Sequence, residues 1–189
     1  MTATATATAA DSVRAPLLQR LQMFPPRHVA TPLGQIAYRQ SGTGAQPTHV
    51  LLHGIGSSSA NWLAQLEAAA LDPASCLLAW DAPGYGTSDA LPMDAPTAAD
   101  YAQRMWAWLG AMDAARGVAS PPITLVGHSL GCLMAASAVR QSPHRVKRLI
   151  LLAPAQGYAR AQAAERDKKL NDRLDTLVRL GRRGPCLRH

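Results

Sequence analysis

The sequence predicts an α/β fold: a doubly wound, mostly parallel sheet with helices on both faces. Three observations predict it. Short apolar runs that do not alternate with polar residues recur from residue 48 onward, as in strands buried on both faces. Segments with helical spacing separate them, in the order strand, helix, strand, helix, strand, helix, strand. The chain has 189 residues, 48% hydrophobic and 16% charged, enough for one domain with a real core.

The elements follow in order. Leu17, Leu18 and Leu21 form a short amphipathic lead-in that stops at Pro25-Pro26. Residues 27–31 and 36–40 flank a Pro-Leu-Gly turn and read as a hairpin. Residues 48–52 (THVLL) are the first buried strand. A helix is expected to start among residues 57–61 and run through Leu66 to Ala70. Residues 76–80 (CLLAW) are the second buried strand. Thr97 and Asp100 resemble a capping box. Tyr101, Met105, Trp108 and Met112 then repeat at helical spacing, predicting a helix over 98–114. Residues 123–126 are a strand, 130–141 a helix ending before Pro143, and 148–153 (RLILLA) a strand. Residues 158–180 read as one long helix. Leu170, Leu174, Leu177 and Val178 form a narrow stripe, with Glu165/Lys169 and Asp175/Arg179 spaced as i,i+4 pairs. Past Gly181 the periodicity stops. The organisation is therefore a tail and lead-in (1–24), a partial core (25–155), and a long helix with a basic tail (156–189).

Charge is uneven. The net +7 divides into +9 from Val139 onward and −2 before it. A basic third of this kind is either an anion-binding footprint or a solvated helix face, and no nucleic-acid motif accompanies it. No nucleic-acid partner and no membrane span are expected, since no run of 18 apolar residues occurs. Cys76, Cys132 and Cys186 lie far apart with no CxxC, so neither a metal site nor a disulfide framework is implied. No cofactor is implied either. The Thr/Ala-rich start lacks the basic and apolar blocks of a signal peptide, and a cytoplasmic location is the expectation.

The chemistry concentrates at Gly127-His128-Ser129-Leu130-Gly131, a G-x-S-x-G between an apolar strand and a helix. That context makes a sharp bend that lifts the Ser129 hydroxyl above the sheet edge, beside the amide-rich helix start. The flanking glycines let backbone pack close. His53-Gly54-Ile55-Gly56 follows the first buried strand and can aim an amide at a point above Ser129. With the amide of Leu130 it would form a two-donor oxyanion hole. Asp81 opens DAPGYGTS after the second buried strand. A structural role is favoured for it, with its carboxylate accepting amides in its own turn. Trp62, Trp106 and Trp108 read as packing residues, and Cys132 and Met134 as the core side of the helix after Ser129.

Taken together, HGIG at 53–56, Asn61-Trp62, DAPGYGTSD at 81–89, GHSLG at 127–131 and RLILLAPA at 148–155 resemble the α/β-hydrolase family. The resemblance covers about residues 27–155. It implies Ser129 as nucleophile and the amides of Ile55 and Leu130 as oxyanion donors. His53, Gly54, Gly56, Asp81, Gly127, His128 and Gly131 support the motifs. A serine at 129 points to the serine branch: esterases, lactonases, carbon–carbon bond hydrolases. The implied partner is a small-molecule acyl substrate. Residues 156–180 would begin the family's lid.

The resemblance also implies an acid after a seventh strand and a histidine after an eighth. Neither strand is found, and after Ser129 the only histidines are His144 and His189. His144 precedes the strand at 148–153, and His189 ends an unpatterned tail. The expectation is a serine hydrolase for an ester, lactone or related acyl compound, impaired because its base is missing. The alternative is a non-catalytic, truncated remnant. The strand at 148–153 is then an exposed apolar edge.

Overall fold

The computed structural model describes residues 9–155 and 162–181, in two compact units, Met1–Pro154 and Ala155–His189. In the first unit the order is α1 (Ala9–Leu21), β1 (Arg27–Val29), β2 (Ile36–Ser41) and β3 (His49–Leu52). A 3-10 turn (Ser59–Trp62), α2 (Leu63–Ala70), β4 (Leu77–Trp80) and α3 (Ala98–Arg116) follow. Next come β5 (Ile123–His128), α4 (Leu130–Gln141), a 3-10 turn (Pro143–Arg145) and β6 (Val146–Leu152). The second unit holds α5 (Ala163–Gly181).

Among the described residues one sheet of six strands forms, in the order β1-β2-β4-β3-β5-β6. β3, β4, β5 and β6 are mutually parallel, and the N-terminal hairpin adds β1 and β2 antiparallel at one edge. The doubly wound α/β expectation holds. The consecutive apolar residues of each inner strand serve two cores, because side chains alternate between faces. Val50, Leu52, Leu78, Trp80, Ile123 and Leu125 face a cluster with Met105, Trp108, Leu109 and Met134 of α3 and α4. Leu51, Leu77, Ala79 and Val126 face a second cluster with Phe24, Trp62, Leu63 and Leu66. Trp80 and Trp108 stack at 6.2 Å between centroids in the larger core.

Several local expectations were sharpened by tertiary contacts. The helix expected from 57–61 opens as a 3-10 turn, with Ser58 Oγ accepting the Ala60 amide. The capping box at α3 forms: Asp100 accepts from the Thr97 amide at 2.8 Å and from its hydroxyl at 2.6 Å. Those bonds hold the Asp100 carboxyl below its usual pKa. The helix runs to Arg116 and ends on Gly117 in the left-handed region. β5 extends through Gly127 and His128, past the apolar run that predicted it, because β6 pairs with it to the end.

Other readings are corrected. The long helix begins at Ala163, and residues 158–161 lie outside the described residues. Glu165 and Lys169 form no ion pair within 4 Å among the described residues, since an i,i+4 spacing brings two long side chains near without fixing either. The ion pairs that do form join distant segments. Arg20 bonds Glu67 at 2.6 Å, tying α1 to α2, and Arg145 bonds Asp113 at 2.9 Å beneath the Trp106 ring. Cys186 and His189 lie outside the described residues, whereas Cys76 and Cys132 are free thiols, both buried. No helix among the described residues is long and apolar enough to cross a membrane.

β6 is the outer strand on its side of the sheet. Leu149, Ile150, Leu151 and Leu152 are each 36–42% exposed, although they point alternately to both faces. The apolar edge expected from the sequence is present in the first unit.

Candidate active site

The site lies where β3 and β5 end. Paired in register, Leu52 sits beside Gly127 and His128 beside Leu152, so the loops after these strands emerge together. Ser129 occupies the bend between β5 and α4 with φ 53 and ψ −115. A non-glycine residue seldom adopts such a backbone, and it persists only where surroundings over-determine it. Here they do. The Ser129 amide donates to the Leu152 carbonyl at 3.0 Å, and its carbonyl accepts the Cys132 amide at 3.1 Å. The Cys132 thiol donates to the Gly127 carbonyl at 3.0 Å and lies 3.3 Å from the Leu152 carbonyl. Burial pushes that thiol's pKa up, so it serves as a neutral donor.

The glycines of the motif are required by close approach. A Cβ on Gly131 would stand 2.2 Å from the Leu52 carbonyl oxygen, and one on Gly127 would stand 2.5 Å from the Gly131 carbonyl oxygen. A Cβ on Gly54 would stand 2.9 Å from the Ser129 Cβ, which shows how near the turn after β3 comes to the serine. Gly56 has no crowding neighbour, but its φ of +68 suits the turn that carries Ile55. Ile55 is exposed, and among the described residues its amide has no backbone acceptor. Leu130 is the first residue of α4, where amides lack intrahelical acceptors.

His53 is 1% exposed and both ring nitrogens are committed. Nε2 accepts the Ala82 amide at 3.0 Å, which leaves the proton on Nδ1, donated to the Gly54 carbonyl at 2.8 Å. Burial pushes its pKa below the ordinary imidazole range, opposed by the Gly54 bond and the Asp81 charge. Tyr85 packs edge-on against the ring at 5.0 Å. His53 therefore fastens the turn after β3 to the turn after β4.

The hydrogen-bond partner of the Asp81 carboxylate differs from the one the sequence suggested. Its Oδ1 accepts the Ser59 amide at 2.6 Å, across from the 3-10 turn rather than within its own loop. Sequence proximity favours a local amide donor, yet β3 and β4 are parallel neighbours, so the start of the 3-10 turn lies closer. His128 is exposed and sits edge-on to Trp62 at 6.5 Å. His144 lies in the 3-10 turn before β6, at the opposite end of that strand from Leu152. Among the described residues, the imidazole hydrogen bonds go to Thr87, Thr48, Gly54 and Ala82, not to the Ser129 hydroxyl. No group of three or more potential metal ligands occurs among them. Sequence reasoning missed Ser59 and Leu152 as supports, because both act through backbone groups that carry no residue-type signal.

Such a bend between a parallel strand and a helix, beneath a glycine-rich turn from the neighbouring strand, defines a class of fold. The profile of the Alpha/beta hydrolase family matches residues 50–186, and the chain belongs to that family. An uncharacterised protein of Mycobacterium tuberculosis (strain ATCC 25618 / H37Rv) is 36% identical over 142 residues, which cover 71% of this chain and 38% of that relative. An epoxide hydrolase from an endophytic Streptomyces superposes with a TM-score of 0.57 at 30% identity, covering 68% of this chain and 36% of that one. A membrane phospholipase A, a bacterial virulence factor, superposes with a TM-score of 0.66 at 23% identity, covering 85% and 49%, and is a likeness of fold alone. The chain thus spans 38% of the length of the curated relatives it matches.

Proposed function

We propose that this chain carries the nucleophile half of a serine hydrolase for an ester, lactone or related acyl compound. Ser129 Oγ attacks the acyl carbon, and the amides of Ile55 and Leu130 hold the oxygen that becomes negative. The observation that carries this reading is the strained backbone of Ser129 at the strand-to-helix bend, held by Leu152 and Cys132. Strain of about 1–3 kcal/mol at one residue calls for a use of that residue. The hydroxyl also needs a base, since an unassisted serine is a weak nucleophile. His53 is excluded by its two committed nitrogens.

That last point favours a second reading, in which this chain by itself is non-catalytic. A fluorophosphonate probe separates the two. Fast labelling of Ser129, abolished by Ser129→Ala, supports a hydrolase with a working base. Absence of labelling in folded protein supports the non-catalytic reading.

A further inference from the structure

Among the described residues no strand pairs with the free edge of β6. That edge has a defined length. Ile123 pairs with Val146 and Thr124 with Arg148, so Lys147 is an extra residue, a bulge at the start of the strand. From Arg148 to Leu152 the register is unbroken, and Ala153 then leaves the strand at φ 45. The Leu152 carbonyl points inward, toward β5, where it accepts the Ser129 amide. Backbone groups of successive strand residues point to opposite edges, so those of Leu149 and Leu151 point outward. Natural sheet edges are blunted by charge, proline or bulges. Here the bulge and the charges of Lys147 and Arg148 stand at the start of β6, and the half-exposed run from Leu149 to Leu152 carries none of these.

We propose that this edge is an interface for a second copy of the chain, the two β6 strands lying antiparallel about a two-fold axis at Ile150. Identical edges that meet in a closed pair are related by a two-fold axis. An axis at Arg148 would set like charges against each other. An axis at Leu149 would bring the outward groups of Leu151 opposite Lys147, inside the bulge. An axis at Leu151 would bring those of Leu149 opposite Ala153, beyond the strand. An axis at Ile150 pairs Leu149 with the second copy's Leu151, and Leu151 with its Leu149, so every outward amide and carbonyl of the regular segment finds a partner. Arg148 then lies opposite Leu152, away from its own counterpart. The edge is its own complement, and this is what selects a second copy as the occupant. The paired strip is short, so the dimer is a weak one. It forms whether or not Ser129 reacts.

The test is sedimentation equilibrium of the full chain at rising concentration, together with cysteine cross-linking. The cross-linking uses a Cys186→Ser background, since Cys76 and Cys132 are buried. The expected result is a mass that climbs toward that of a dimer and stops there. Ile150→Lys sets two ammonium groups opposite each other at the axis and should hold the chain as a monomer. Ile150→Cys should form a disulfide dimer under copper–phenanthroline and air, because facing residues without hydrogen bonds have Cα atoms about 4.5 Å apart. Leu152→Cys should react at least tenfold more slowly, its two copies standing about 14 Å apart along the strands. A monomer at every concentration up to millimolar overturns the proposal, as does growth past the dimer or a dimer that Ile150→Lys leaves intact. Cross-linking through Leu152→Cys as fast as through Ile150→Cys overturns it also. Should Ile150→Lys fail to fold, the two cysteine variants still decide.

Discussion

The Ser129 amide donates to the carbonyl of Leu152 at 3.0 Å, so the bend that carries the serine is fastened to the last residue of β6. Leu152 is nonetheless 41% exposed. The strand that helps hold the strained residue is also the strand left open at the sheet edge. Ala153, directly after it, has a φ of 45, so the chain leaves β6 through a second unusual backbone position.

The strain at Ser129 should be measurable as stability. Ser129→Gly removes the steric penalty of φ 53 and adds the entropy cost of glycine. We expect a gain of up to about 2 kcal/mol in urea unfolding, together with complete loss of fluorophosphonate labelling where the parent chain labels. A destabilised variant would mean that the bend is not strained.

Close packing at the bend predicts the reverse for its glycines. Gly131→Ala places a Cβ 2.2 Å from backbone at Leu52, which no rotamer change relieves. The expected loss is more than about 3 kcal/mol, among the large values seen for overpacking. Urea midpoints check it. Gly56→Ala meets no atom within 4 Å and pays only for its φ of +68, about 1–2 kcal/mol.

Asp81 should behave as a support. Asp81→Ala leaves the buried Ser59 amide without its acceptor, at an expected cost of roughly 1.5–3 kcal/mol. Amide hydrogen exchange at Ser59 should quicken in the same variant. Unchanged stability would argue that Asp81 serves some other purpose.

Acid should weaken the fold through His53. Burial keeps its folded pKa below that of the unfolded chain, which is about 6.5. As pH falls through that value the unfolded state binds a proton that the folded state refuses. Stability is therefore full above about pH 7 and declines below it, with a slope of up to about 1.4 kcal/mol per pH unit for one proton. His49, lowered by burial and by Lys147, acts with the same sign. Urea midpoints at several values between pH 7.5 and 5 measure the slope, and His53→Gln should flatten it.

The open edge should govern solution behaviour. Leu149 to Leu152 are partly exposed apolar residues on an outer strand, the kind of edge that pairs with other chains. Ile150→Lys is expected to lower concentration-dependent light scattering while costing under about 1 kcal/mol of stability. Equal scattering from both proteins would place the association elsewhere.

The sequence by itself determined the elements and their order, from the hairpin at β1 and β2 to α4, because side-chain periodicity is a local consequence of backbone geometry. It also located the bend at 127–131, since glycines flanking a serine between an apolar strand and a helix leave few other conformations. Tertiary structure alone decided the partners. Asp81 took an amide from Ser59, His53 Nε2 took one from Ala82, and the Ser129 amide found the Leu152 carbonyl, each across segments that strand pairing brought together. Tertiary structure also left the buried Ser57 Oγ and Trp62 Nε1 without hydrogen-bond partners. A hydrogen bond depends on where two distant pieces of chain meet, and no pattern along one piece encodes the position of the other.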